Sequence, residues 1–150
     1  MLYTYKYPRP AVAVDAIITA ERNNQAMILL IQRKADPFRG KWALPGGFAN
    51  IDETLEHACK RELEEETGLN NIELRQFDTF DAIDRDPRER IISIVFHGQI
   101  TEAVPVKGGD DALEAEWFPI TSLPELAFDH EEIIKKFISQ KGRHSESRYS

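Results

Sequence analysis

An α/β fold is what this sequence predicts, and two kinds of observation carry the prediction. Apolar runs at Ala11–Ala20, Ala26–Arg33 and Ile91–Ile100 read as buried strands. Helical stretches at Leu55–Thr67 and Glu131–Gln140 each follow a group of strands. The order is strands, helix, strands, helix, without the alternation of repeated βαβ units, and short loops between strands fit hairpins.

Taken in order, Tyr3, Tyr5 and Tyr7 alternate with a strand-like period of two until Pro8 and Pro10 end the run. That pattern reads as an edge strand or a contact between two copies, with an aromatic wall for a base as the alternative. Ala11–Ala20 and Ala26–Arg33 form a hairpin across the polar turn Glu21–Gln25. A Pro- and Gly-punctuated loop, Ala35–Lys41, leads to a short strand at Trp42–Leu44, then to Pro45 and the pair Gly46–Gly47, read as loop. The helix from Leu55 has Asp52 or Thr54 as N-cap and Gly68 as its stop, with Leu69 behind it. Strands are expected at Ile72–Asp81, Ile91–Ile100 and Ala115–Ile120, separated by a charged loop at Ala82–Arg90 and a loop at Glu102–Ala112. Asp129, with Glu132 three residues on, reads as a capping box for the last helix, whose Ile133, Ile134, Phe137 and Ile138 face inward. Residues 141–150 are a polar, frayed tail. The whole chain, 1–150, is expected to be a single domain.

Composition narrows the function. A net charge of −7 argues against a general nucleic-acid-binding surface. An anionic phosphate substrate would need a metal ion and local Arg or Lys. No apolar run reaches the length of a membrane span, and the N-terminus lacks the apolar core of a signal peptide. Cys59 is alone, so no internal disulfide forms, and it reads as a buried structural thiol. These features suggest a cytoplasmic protein.

The charge pattern of the first helix is the functional signal. With Leu55 at zero and about 100° per residue, Ala58, Cys59 and Leu63 form the apolar stripe within roughly 80°. Glu62, Glu65 and Glu66 fall at about −20°, −80° and +20°, on the same side. Glu64 and His57 point away. Glu62 and Glu66, four residues apart, repel. An inward cluster of carboxylates is costly unless a cation fills it, and hard oxygen ligands suit Mg²⁺ or Mn²⁺. The helix follows a glycine pair, whose backbone can approach a ligand closely.

Gly47, Glu53, Arg61, Glu62, Leu63, Glu65, Glu66, Gly68 and Leu69 resemble the Nudix box at every fixed position. The resemblance sharpens the fold to an α/β/α sandwich around a mixed sheet, and implies metal-dependent hydrolysis of a nucleoside diphosphate linked to another group. It also implies Glu62, Glu65, Glu66 and the Gly46 carbonyl as metal ligands, and Arg61–Glu53 as an ion pair that orients them. The general base is a box glutamate or an acid of the later loop, where Asp110, Asp111 and Glu114 stand. Homodimerisation through the N-terminal strand is a further expectation from family habit.

The substrate has to be read outside the box. Arg85, Arg88 and Arg90 crowd the loop AIDRDPRER, and Arg forks suit phosphate or ribose. That loop, with Pro87, resembles the ADP-ribose pyrophosphatase branch. AFDHEEII, Ala127–Ile134, resembles both that branch and the ADP-ribose-sensing domains of certain bacterial regulators. Phe48 and Phe80 are candidate surfaces for a base, against core packing for each. Trp42 and Trp117 read as core or pocket wall, His97 as a strand side chain and His130 as exposed. The signature of the NADH pyrophosphatase branch is absent, and no Tyr follows the box before Tyr149. The expected activity is therefore ADP-ribose cleavage to AMP and ribose 5-phosphate, with a small-molecule nucleotide as substrate. The alternatives are clean-up of oxidised nucleoside triphosphates and a non-catalytic ADP-ribose sensor. The intact box argues against the sensor, as does a chain ending at Ser150, without the following DNA-binding domain of those regulators.

Overall fold

The structure, a computed structural model, describes residues 2–108 and 112–148. Among these residues, seven strands form one mixed sheet. β1 (Ala11–Arg22) pairs antiparallel with β2 (Gln25–Arg33) toward its end and with β4 (Gly46–Phe48) toward its start. Its other edge runs parallel to β6 (Ile91–Glu102), which pairs antiparallel with β5 (Arg75–Phe80). β2 in turn carries β3 (Trp42–Ala43) and β7 (Ala112–Pro119). The β1–β2 turn places Asn23 and Asn24 at φ 52° and 62°, as a two-residue hairpin with both central residues left-handed requires.

Both sheet faces are covered, because β1 and β2 are apolar at nearly every position and successive side chains point to opposite sides. Val14, Ala16 and Ile18 of β1 and Met27 and Leu29 of β2 pack with Ala58, Cys59 and Leu63 of α1 (Leu55–Thr67). Ile17, Ile28 and Leu30 pack on the other face with Ile133, Ile134 and Phe137 of α2 (His130–Arg148). The result is the helix–sheet–helix sandwich expected. No helix among the described residues is long and apolar enough to cross a membrane.

Several local expectations change. Gly46–Gly47 is not loop but β4, because its backbone pairs with Val14 and Asp15. Tyr3, Tyr5 and Tyr7 form no strand. They are exposed, Tyr3 stacks on Tyr5 at 6.3 Å, and the Arg9 guanidinium lies 3.9 Å from the Tyr5 ring. Their alternation matches no sheet edge, and self-stacking takes its place. α2 continues to Arg148, through most of the tail expected to fray, since residues 141–148 contain no proline and extending a helix is far cheaper than starting one. Ile138 is 42% exposed rather than inward. His130 is not exposed but buried, at 4%. Asp129 does not cap α2 with its carboxylate, because Arg85 occupies both its oxygens.

Candidate active site

α1 is set in place at both ends. The Thr54 hydroxyl accepts the His57 N–H at 3.2 Å, and Gly68, at φ 81°, sends its N–H back to the Glu64 carbonyl. Of the three carboxylates expected to face inward, Glu66 is buried at 6% and Glu62 is half-buried, whereas Glu65 is exposed at the rim. Arg61 links this helix to the preceding segment. It donates from Nε and Nη2 to the Glu53 carboxylate at 3.1 and 2.7 Å, and from Nη2 to the Phe48 carbonyl at 3.1 Å. Its Nη1 donates to Glu62 at 2.9 Å and Glu65 at 3.3 Å. The Arg61 hydrogen bond, helped by the Asn50 N–H, holds the Glu53 carboxyl down at about 2. Glu53 therefore stays ionised, and the tie intact, until pH falls toward that value.

The glycine pair brings the backbone to these carboxylates. The Ala16 N–H donates to the Pro45 carbonyl and the Ala49 N–H to the Val12 carbonyl. Gly46 and Asp15 thus form a non-hydrogen-bonded pair, and both polar groups of Gly46 face away from β1. The Gly46 N–H donates to Glu66 Oε1 at 2.7 Å, and its carbonyl lies along the same edge. A Cβ on Gly47 would stand 2.6–2.7 Å from the Glu62 carboxyl, so only glycine leaves that cradle open. The donor set of three carboxylates and one carbonyl is all oxygen, which fits a hard divalent cation. In the structure Arg61 draws Glu62 and Glu65 aside, and no three acidic, His or Cys side chains among the described residues stand in chelating arrangement.

Beside this cradle lies a cleft lined by Asp15, Gly46, Glu66, His130 and three arginines, Arg33, Arg85 and Arg88. A chain of net charge −7 thus gathers three guanidinium groups at one place, among the carboxylates of Asp15, Glu66 and Asp86. Arg88 is held by Asp86 at 2.7 and 3.0 Å, and its guanidinium lies 5.4 Å from the Phe48 ring and 5.5 Å from the Phe128 ring. Burial works against ionising Asp86, but the Arg88 hydrogen bonds outweigh it and keep the carboxyl below its usual range. Arg33 faces Phe128 at 4.9 Å and donates from Nε to the Pro37 carbonyl at 2.7 Å. Burial, and then the neighbouring Arg88 charge, lower its pKa.

Arg85 differs from the other two. Its side chain is 4% exposed and paired with Asp129 at 2.7 and 2.9 Å, so it fastens the 82–90 loop to the start of α2. Removing one partner of such a pair leaves a buried charge and costs about 3–5 kcal/mol. Arg85→Ala is therefore expected to melt well below the parent protein, by roughly 2–4 °C per kcal/mol for a chain of this size. A melting temperature within a degree of the parent's would show that the pair does not support the loop.

The remaining candidates are scattered. Phe48 is at the cleft, 42% exposed. Phe80 is not brought there. It packs with Phe77 at 6.4 Å in the cluster beneath α2. Glu114 is exposed on β7, while Asp110 and Asp111 lie outside the described residues. Cys59 is buried at 1%, and burial pushes its thiol up to about 12, which leaves it a core side chain. His97 bonds to Thr19 at 3.1 Å and packs on Phe137. Trp42 packs on Phe118, and Trp117 is buried with its indole N–H donating to the Val104 carbonyl. Sequence reasoning missed Arg33, Asp15, Ser93 and Phe128. Only Phe128 carried a signal, inside the AFDHEEII match.

These features define an α/β protein whose acid-bearing helix and glycine pair share the mouth of an arginine-lined cleft. A model of the NUDIX domain matches residues 9–139, and the chain belongs to that family, as a Nudix hydrolase. An ADP-ribose pyrophosphatase of Methanocaldococcus jannaschii is 50% identical over 135 residues, covering 90% of this chain and 77% of that protein. The NUDIX domain of Shewanella oneidensis NrtR, complexed with ADP ribose, superposes with a TM-score of 0.84 at 28% identity, over 92% of this chain and 93% of that one. A bifunctional NMN adenylyltransferase/ADP ribose pyrophosphatase of Francisella tularensis, complexed with AMP and a manganese ion, superposes with a TM-score of 0.76 at 33% identity. It covers 91% of this chain, which spans 43% of that protein.

Proposed function

We propose that the protein hydrolyses the pyrophosphate bond of ADP-ribose to give AMP and ribose 5-phosphate, with Mg²⁺ as its metal. One observation carries the reading: the oxygen cradle of α1 and β4 opens directly onto the wall formed by Arg33 and Arg88. Carboxylates hold a cation at one end of a pyrophosphate, and guanidinium groups receive its oxygens at the other. Similarity to the Methanocaldococcus enzyme, to the ADP-ribose-bound Shewanella domain and to the manganese-bearing Francisella enzyme supports the choice of substrate and of a divalent ion.

Glu62, Glu65, Glu66 and the Gly46 carbonyl would hold the ion. When bound, it neutralises phosphate charge and eases ionisation of water. Arg61 and Glu53 orient the carboxylates, and Phe48 and Phe128 flank Arg88 and offer faces to the base or sugar. Water oxygen bonds to one phosphorus, the bond from that phosphorus to the bridging oxygen breaks, and the water proton passes to a carboxylate. A box glutamate is the carboxylate assigned this role, Glu65 at the exposed rim, with Glu114 of β7 as the alternative.

The test is a product assay with ADP-ribose, NADH, a diadenosine polyphosphate and oxidised dGTP, each with Mg²⁺ and with chelator. AMP from ADP-ribose, abolished by chelator, is expected. Preferred pyrophosphate release from oxidised dGTP would replace the substrate, and tight ADP-ribose binding without turnover would make the protein a sensor.

A further inference from the structure

The three residues that deliver the backbone to the cradle are each held by a different element. The Leu44 N–H donates to His130 Nδ1 of α2 at 3.0 Å. The Pro45 carbonyl accepts from Ala16 of β1 at 2.8 Å, and the Gly46 N–H donates to Glu66 of α1 at 2.7 Å. The second and third ties are sheet pairing and box chemistry. The first has no role in the reading above, yet His130 is 4% exposed and sits in the cleft wall.

The imidazole is hydrogen-bonded on one side and faces a carboxylate on the other. Because Nδ1 accepts, the neutral ring carries its proton on Nε2, which faces Asp15 Oδ1 at 3.8 Å. Asp15 is itself 7% exposed, and its other oxygen accepts the hydroxyl of Ser93, a fully buried residue of β6. Asp15 also lies opposite Gly46 across the β1–β4 pair, and a Cβ on Gly46 would overlap the Asp15 carboxylate. The chain Ser93–Asp15–His130–Leu44 therefore runs from the middle of the sheet to the residue before Pro45. Burial lowers the His130 pKa, so the ring stays neutral and keeps its acceptor.

We propose that His130 is a positioning residue for the metal cradle: it accepts the Leu44 N–H, with Asp15 and Ser93 fixing the ring, and so sets the Gly46 carbonyl relative to Glu66. This rests on the cradle being the metal site. It does not depend on which nucleotide is hydrolysed. An acceptor at the Nδ1 position is the property that matters, which separates the proposal from simple core packing.

The experiment compares His130→Ala, His130→Gln and His130→Asn for Mn²⁺ affinity by electron paramagnetic resonance, for kcat and KM, and for melting temperature. Asn places an acceptor oxygen near the position of Nδ1, and Gln does not. Disturbing a group behind a metal ligand weakens metal binding about 10–100-fold. Losses of that size in Mn²⁺ affinity and kcat are expected for Ala and Gln, with KM for ADP-ribose little changed and Asn restoring most of both. If Ala fails to fold, the Gln–Asn comparison carries the test. Unchanged Mn²⁺ affinity in Gln, or equal losses in Asn and Gln, would overturn the proposal. If the parent protein turns over no ADP-ribose but Mn²⁺ affinity falls in Gln and recovers in Asn, the positioning role stands and the substrate assignment falls.

Discussion

Glu66→Gln is expected to turn ADP-ribose over about 10²–10³-fold more slowly than the parent, a loss of about 3–4 kcal/mol of transition-state stabilisation. Glu66 is buried and its Oε1 accepts the Gly46 N–H, so it links the helix and strand halves of the cradle. Glutamine keeps an acceptor oxygen and nearly the same volume, and the fold has no reason to change. It removes one negative charge from the donor set, and an amide is the weaker ligand for a hard cation. The loss should sit in kcat and in the Mg²⁺ concentration needed for half-maximal rate, with the melting temperature near that of the parent. Activity within threefold of the parent at low Mg²⁺ would remove Glu66 from the metal site.

Adding a methyl group to each of the adjacent glycines is expected to give opposite outcomes. On Gly47 the atoms nearest the new Cβ are those of the Glu62 carboxyl, the far end of a flexible side chain, at 2.6–2.7 Å. Glu62 can swing aside, so Gly47→Ala should fold with near-parental stability and lose about 10²-fold or more in kcat, as misplacement of a catalytic group does. On Gly46 the Cβ overlaps the Val14 carbonyl oxygen, which is backbone and cannot yield without moving β4. Gly46→Ala should lose about 1–3 kcal/mol of stability through this overpacking, as well as activity. Thermal melts and kcat on both variants separate the cases. An active Gly47→Ala enzyme would mean that Glu62 does not need the space beside the strand.

The acid-bearing helix was legible because its information is local. Caps, apolar stripe and carboxylates all fall within Thr54–Gly68, and α1 forms over the expected residues with Thr54 chosen over Asp52 as its cap. The α/β layering was legible because β1 and β2 are apolar on both faces. Illegible features depended on partners distant in sequence. Gly46–Gly47 read as loop because two glycines say nothing about pairing, and their strand exists only through β1. Arg85 and Arg88 sit in the same loop with the same charge. Their different fates were set by Asp129 and Asp86: both line the cleft, but Arg85 is buried in its wall and Arg88 stays exposed. His130 read as exposed because a polar residue beside a helix start usually is. The Leu44 N–H that draws it inward is 86 positions away.

Those separations divide the site by folding order. The Glu53–Arg61 and Gly46–Glu66 links close loops of 8 and 20 residues, whereas Asp15–Ser93 and Leu44–His130 span 78 and 86. Loop-closure entropy and contact order both place short-range links ahead of long-range ones. During synthesis, the glutamates of α1 emerge and can pair with Arg61 before β6 or α2 has left the ribosome. The parallel β1–β6 pairing and the α2 cover, which fix the Leu44–Gly46 backbone and the arginine wall, can only follow. A nascent chain would then hold its acidic half early and gain a shaped cleft only with its last helix.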